Sequence, residues 1–130
     1  MNYAINICGA PGSSQAPQTA LNFCKALITA GHTITRLFFY HDGVYTTTSL
    51  MTPPQDEQNL SYEWQAFVKE HQLDSVVCIA AALRRGVVDQ TEAQRYTLSA
   101  YNLAPEHKLS GLGQLLDAAI TADRFITFGA

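Results

Sequence analysis

No stretch of this sequence approaches the ~18 consecutive apolar residues that a membrane-spanning helix needs, and the N-terminal Met1-Asn2-Tyr3-Ala4-Ile5 has no basic segment leading into a long apolar run. The expectation is therefore a chain with neither a membrane span nor a secretory signal. Charge is also sparse. Charged residues make up 15% of the chain and the net charge is -3. No basic stripe is visible of the kind that direct docking on nucleic acid usually requires. The three cysteines, Cys8, Cys24 and Cys78, are odd in number and far apart, which argues against a disulfide framework and for free thiols in a reducing cytoplasm. No C-x-x-C occurs, and no histidine stands at metal-ligand spacing from a second histidine or a cysteine. A dithiol redox pair and a zinc site are both unsupported. Neither a metal nor a cofactor is expected.

What is present is a globular composition. The chain has 130 residues, 47% of them hydrophobic, enough for one domain with a real core. Strands and helices alternate along it. Tyr3 to Cys8, Ile34 to Tyr40, Ser75 to Ala80 and Arg124 to Phe128 read as strands, rich in β-branched and aromatic residues. Between the first two, Ala20, Phe23, Cys24, Leu27 and Ile28 recur at helical spacing, with Gly31 where a helix-ending glycine belongs. Asp56 to His71 reads as a second helix whose core face is Leu60, Trp64, Phe67 and Val68. Asp89-Gln90-Thr91-Glu92 resembles a capping box opening a short helix. Ser110 precedes a last helix with Leu112, Leu115, Leu116, Ala119 and Ile120 on its apolar face. Strands separated by helices require crossovers. The reading is a single α/β domain over residues 1–130, three layers deep, with a mainly parallel sheet of about five strands. Val44 to Gln55 is an irregular, largely uncharged excursion, in which Tyr45, Leu50 and Met51 are candidates to anchor a partner.

Ligands of open parallel sheets bind beyond the carboxyl ends of the strands. Those ends are Cys8 to Ser14, His41 to Tyr45 and Cys78 to Val88. Cys24, between Phe23 and Leu27 on a helix face, packs as a small hydrophobe. Cys8 precedes the turn Gly9-Ala10-Pro11-Gly12-Ser13-Ser14, which matches neither G-x-G-x-x-G nor the P-loop pattern. Cys78 sits late in the buried run Val76-Val77-Cys78-Ile79-Ala80, with Ala80, Ala81 and Ala82 beyond it and then Arg84-Arg85, the chain's one adjacent basic pair. The alanines leave room for another thiol, and a guanidinium brought back by a compact turn favours a thiolate. His41 could serve as a base toward Cys78, although His41-Asp42-Gly43 also reads as ordinary turn chemistry.

Four collinear segments carry a family resemblance. They are Phe38-Phe39-Tyr40-His41-Asp42-Gly43-Val44; Leu50-Met51-Thr52-Pro53-Pro54-Gln55-Asp56-Glu57; Cys78-Ile79-Ala80-Ala81-Ala82-Leu83-Arg84-Arg85-Gly86-Val87-Val88-Asp89; and Leu109-Ser110-Gly111-Leu112-Gly113-Gln114-Leu115 with Ala122-Asp123-Arg124. Together they resemble the TusD/DsrE sulfurtransferases over essentially the whole chain. The resemblance implies a DsrE-like fold and a persulfide-forming cysteine at Cys78, with Arg84 and Arg85 as candidate thiolate stabilisers. It implies a cytoplasmic heterohexamer with two related subunits, TusB/TusC-like or DsrF/DsrH-like. It also implies a TusA-like sulfur donor and a TusE-like or DsrC-like acceptor. The sulfur is then destined for 2-thiolation of a wobble uridine in tRNA or, alternatively, comes from dissimilatory sulfur oxidation. Two readings of other classes are a non-catalytic assembly subunit and a nucleotide-binding flavodoxin-like domain. The second needs a better phosphate loop than Gly9 to Ser14.

Overall fold

The computed structural model describes residues 1–130. Five parallel strands form one sheet: β1 (Asn2–Ile7), β2 (Thr33–Phe39), β3 (Ser75–Cys78), β4 (Lys108–Ser110) and β5 (Arg124–Phe128), in the order β4-β3-β2-β1-β5. The helices are α1 (Ala16–Thr29), α2 (Leu60–His71), α3 (Ile79–Arg84), α4 (Gln90–Arg95) and α5 (Gly113–Thr121), with a 3-10 segment over His41–Thr47. The single α/β domain and its parallel sheet stand as expected.

Strand alternation sorts side chains onto two faces. Ile5, Ile7, Leu37, Phe39, Ser75 and Val77 share one face. Trp64 of α2 packs edge-on to Phe39 there, with ring centroids 5.3 Å apart, and donates its indole N–H to Pro17 O of α1 at 3.1 Å. One bond thus ties α1 and α2 together over the same core. Cys24 lies fully buried beneath them. Gly31 adopts φ +85° just past α1, and His32 N–H reaches back to Leu27 O, so α1 ends in the glycine-dependent way its sequence suggests.

The opposite face carries Asn6, Arg36, Phe38, Val76 and Cys78 and is covered by α5. Polar contacts join apolar ones in seating this helix. Arg36 donates from Nε to Asp74 (2.8 Å) and from Nη1 to Asp117 (3.1 Å) and to Gln114 O (3.0 Å). Lys108 Nζ completes the cluster on Asp74 at 2.8 Å. Burial alone would raise the Asp74 carboxyl, but the Lys108 and Arg36 partners outweigh it and hold it below the usual carboxylate range.

Several elements differ from the sequence reading. β3 stops at Cys78, and α3 begins at Ile79, so the predicted strand to Ala80 is two residues too long. The irregular excursion begins as the 3-10 segment. α2 starts at Leu60, capped by Asn59 Oδ1 accepting from Tyr62 N–H, rather than at Asp56. The fifth strand, β4, has only three residues and no strand-like run of its own. The apolar face expected of α5 is not the buried one: Leu115 and Ala119 are half-buried, Leu112, Leu116 and Ile120 are exposed, and the residue the helix buries is Ala118.

The edge strand β4 is anchored through the residue before it. His107 is buried, bonded through Nδ1 to Ser75 Oγ at 2.6 Å, and set edge-on to Phe39 at 5.4 Å. Its Nε2 has no protein partner. Burial pushes the imidazole down to about 4 from its ordinary 6.5. The unfolded chain therefore binds this proton more readily. The stabilisation from a neutral His107 is complete above about pH 6.5 and is lost as the pH falls from there towards 4, by about 3 kcal/mol in all. Urea unfolding at a series of pH values should show this loss. His107→Phe, which keeps the aromatic contact and removes the titration, should flatten it.

Candidate active site

The three central strands end level with one another, and this builds the site. Ile7 pairs with Phe39, and Phe39 with Val77. Cys78 pairs with Ser110 of β4. One residue further on, Cys8, Tyr40, Cys78 and Ser110 follow as a row across four strands at the carboxyl edge, all on the α5 face. Adjacent strands lie about 5 Å apart, so Tyr40 is the direct neighbour of both cysteines, and the cysteines are about 10 Å from each other. At that separation no disulfide joins Cys8 to Cys78 without backbone movement.

Cys78 is the last residue of β3 and the N-cap of α3. Its side chain makes no capping hydrogen bond, and it is 2% exposed. Burial disfavours the anions of Cys24 and Cys8. Burial pushes Cys24 up to about 12. Burial also raises Cys8, outweighing a hydrogen bond with Asn6. The three free cysteines thus occupy distinct settings: a core helix, the end of β1 beside β5, and a strand-to-helix junction.

Arg84 and Arg85 sit at the far end of α3, about 9 Å along the helix from Cys78. Arg85 is engaged elsewhere. Its Nε donates to Asp42 Oδ1 at 2.8 Å and its Nη1 to Ala81 O at 3.1 Å. Arg84 is exposed and free of ion pairs. The compact turn that would fold a guanidinium onto the thiol is replaced by helix, so any influence of this pair on Cys78 acts over distance. Ala81 and Ala82 turn inward and fill core, so they do not provide the open approach that a run of small residues suggested.

His41 is exposed, lies at φ 50°, and stacks flat on Tyr40 with centroids 3.9 Å apart. It makes no hydrogen bond to Cys78. Asp42 and Gly43 have other work. The Asp42–Arg85 bond ties the 3-10 segment to the end of α3. Gly43 lies so close to β1 that a Cβ on it would come within 2.1 Å of Ile7 O. The turn chemistry read at His41-Asp42-Gly43 is therefore a clasp that holds the loop after β2 down on its neighbours.

Of the anchors proposed in the loop, Tyr45 and Leu50 are exposed. Leu50 lines a cleft of about 330 Å³ with Leu83, Val88, Leu98 and Tyr101. A second cleft of about 470 Å³ lies between the Pro11–Gln15 turn and the loop around Met51 and Pro53. Its lining includes Glu57 and no lysine or arginine, so nothing there would neutralise a phosphate. No cluster of three or more His, Cys, Asp or Glu side chains could hold a metal. No helix is long and apolar enough to cross a membrane. Tyr40 was not singled out from the sequence. Its place beside Cys78 depends on strand register, which a single sequence does not display.

The family model described as DsrE/DsrF-like matches residues 1–128. The chain belongs to that family. Among its relatives is DsrE of Allochromatium vinosum, named provisionally as a sulfurtransferase. It is 48% identical over 129 residues, covering 99% of each chain. The sulfurtransferase TusD of Salmonella newport is 44% identical over 128 residues, covering 98% of this chain and 100% of its own. Sulfur transfer is thereby the activity of this family member too. The solved structure of the ychN protein from E. coli has the same fold, with a TM-score of 0.77 at 20% identity, covering 98% of this chain and 100% of its own.

Proposed function

We propose that Cys78 carries sulfur as a persulfide in a protein-to-protein relay. The supporting observation is its placement. Cys78 shares with Cys8 the carboxyl edge where open parallel sheets bind their ligands, and it alone stands where a strand passes directly into a helix. It also lies within the segment on which the resemblance to TusD and DsrE rests. The chemistry needs no cofactor. The Cys78 thiolate attacks the outer sulfur of a donor persulfide, the donor's S–S bond breaks, and the donor thiolate leaves. An acceptor thiolate then takes the outer sulfur from Cys78 by the same exchange. Because Cys78 is 2% exposed in the isolated chain, delivery requires its cover to shift when the donor docks. Arg84, exposed and free of ion pairs, is placed to steer an acidic donor or acceptor.

In this reading the donor is TusA-like, the acceptor is TusE-like, the setting is the cytoplasm, and the sulfur ends as the 2-thio group of a wobble uridine in tRNA. The net charge of -3 suits a subunit that meets proteins rather than the RNA itself. A second reading, exchange with a DsrC-like protein in sulfur oxidation, is favoured by the 48% identity to DsrE. Two related subunits, TusB/TusC-like or DsrF/DsrH-like, complete a heterohexamer in either case. The structural support for such docking is α5. Leu112, Leu116 and Ile120 recur every fourth residue and are 48%, 63% and 73% exposed, while Leu115 and Ala118 already serve the core. A helix that is apolar on both sides is one that is covered on both sides.

Intact-mass measurement after incubation with a persulfide donor should show a gain of one sulfur on the wild-type chain. The gain should persist in Cys8→Ser and Cys24→Ser and vanish in Cys78→Ser; sulfur retained by Cys78→Ser would rule out the site. Deleting the gene should lower the 2-thiouridine content of tRNA in the first reading and leave it unchanged in the second. Leu116→Glu with Ile120→Glu should leave the monomer's unfolding midpoint nearly unchanged and prevent co-purification with the related subunits. Assembly that survives both charges would remove α5 from the interface.

A further inference from the structure

Tyr40 occupies the position in the row next to Cys78. It follows β2 directly, and its amide donates to Ile7 O at 2.9 Å, so the sheet fixes its backbone. Its ring lies between two others. Phe38, fully buried on the same face, meets it edge-on at 6.1 Å, and His41 stacks flat on it at 3.9 Å. His41 can lie back over the ring because its backbone turns into the left-handed region, at φ 50°. The ring is thus half-buried and held from below and above, while no hydrogen bond engages its hydroxyl.

The lengths of the two side chains give this arrangement a chemical meaning. A tyrosine hydroxyl stands further from its backbone than a cysteine sulfur does. On neighbouring strands in register, that hydroxyl reaches past the sulfur itself, towards an atom added to it. In a persulfide the added atom is the outer sulfur, which carries the negative charge.

We propose that Tyr40 is a positioning residue for sulfur transfer, donating its hydroxyl hydrogen bond to the outer sulfur of the Cys78 persulfide. The inference rests on Cys78 being the sulfur-carrying residue. No proton changes hands and nothing is oxidised. The Cys78 thiolate forms the new S–S bond, the donor's S–S bond breaks, the donor leaves as its thiolate, and the phenol O–H stabilises the charge that arrives with the transferred atom. The ring also walls off the Cys8 side of the row, so a sulfur on Cys78 faces its acceptor rather than a second thiol about 10 Å away.

Tyr40→Phe keeps the ring, its stack on His41 and its contact with Phe38, and removes only the hydroxyl. Its unfolding midpoint should match the wild type. Stopped-time intact-mass measurement should show sulfur loading of Cys78 slowed about ten- to a hundredfold, the range expected for losing one hydrogen bond to a charged group. The loaded persulfide should also stay protonated to higher pH when its anion is followed by ultraviolet absorbance. Tyr40→Ala, which removes ring and hydroxyl together, should load no faster than Tyr40→Phe. A Tyr40→Phe protein that loads at the wild-type rate, with an unchanged persulfide titration, overturns the role of the hydroxyl while Cys78 remains the carrier. A wild-type chain that takes no sulfur on Cys78 overturns the underlying reading, and this inference with it.

Discussion

The carboxyl edge of this protein depends on the register of short parallel strands. β3 has four residues and β4 has three, and a slip of one residue would turn every buried side chain to the other face. Pairing of Phe39 with Val77 and of Cys78 with Ser110 fixes Cys78 on the α5 face, beside Tyr40 and two strands from Cys8. β3 then gives way to α3 without a loop. That abrupt junction places the thiol at the end of a strand and the start of a helix together, while the Asp42–Arg85 bond and the close seat of Gly43 hold the neighbouring loop against it.

Where a residue's surroundings come from its own neighbours in sequence, they could be read in advance. The faces of α1 and α2, the glycine ending α1, and the cap Asp89 supplies to Glu92 N–H at 2.8 Å follow from local periodicity and turn chemistry. So does the burial of Cys24. The boundary between β3 and α3 could not be read this way, because Val76-Val77-Cys78-Ile79-Ala80 is apolar throughout and gives the same signal for a buried strand and a buried helix. β4 was hidden for a related reason: three residues carry no period. Arg84 and Arg85 were expected to approach the thiol because they are near it in sequence. Helix geometry carries them away instead, and Arg85 finds Asp42.

The α5 helix and His107 show a different limit. Amphipathic spacing says that a helix has an apolar face, not which partner covers it. Leu112, Leu116 and Ile120 fit a core-facing pattern, yet they point outward, because Arg36 and its acidic partners set how α5 sits on the sheet. His107 reads as one more residue in a polar stretch, and only the fold buries it against Ser75 and Phe39. Both features concern what the domain packs against, and that information lies in tertiary contacts.

The chemistry of the edge and the covering of the thiol belong to one account. A persulfide is reactive toward any thiol that reaches it, so a carrier benefits from keeping the sulfur enclosed until a specific partner arrives. The most direct test of the central claim is to locate the sulfur by peptide mapping. The wild-type chain is loaded with a persulfide donor, alkylated, digested and sequenced by mass spectrometry. The account predicts the additional sulfur on the peptide that contains Cys78 and on neither of the other cysteine peptides. Sulfur found instead on the peptide of Cys8 or Cys24 would contradict it.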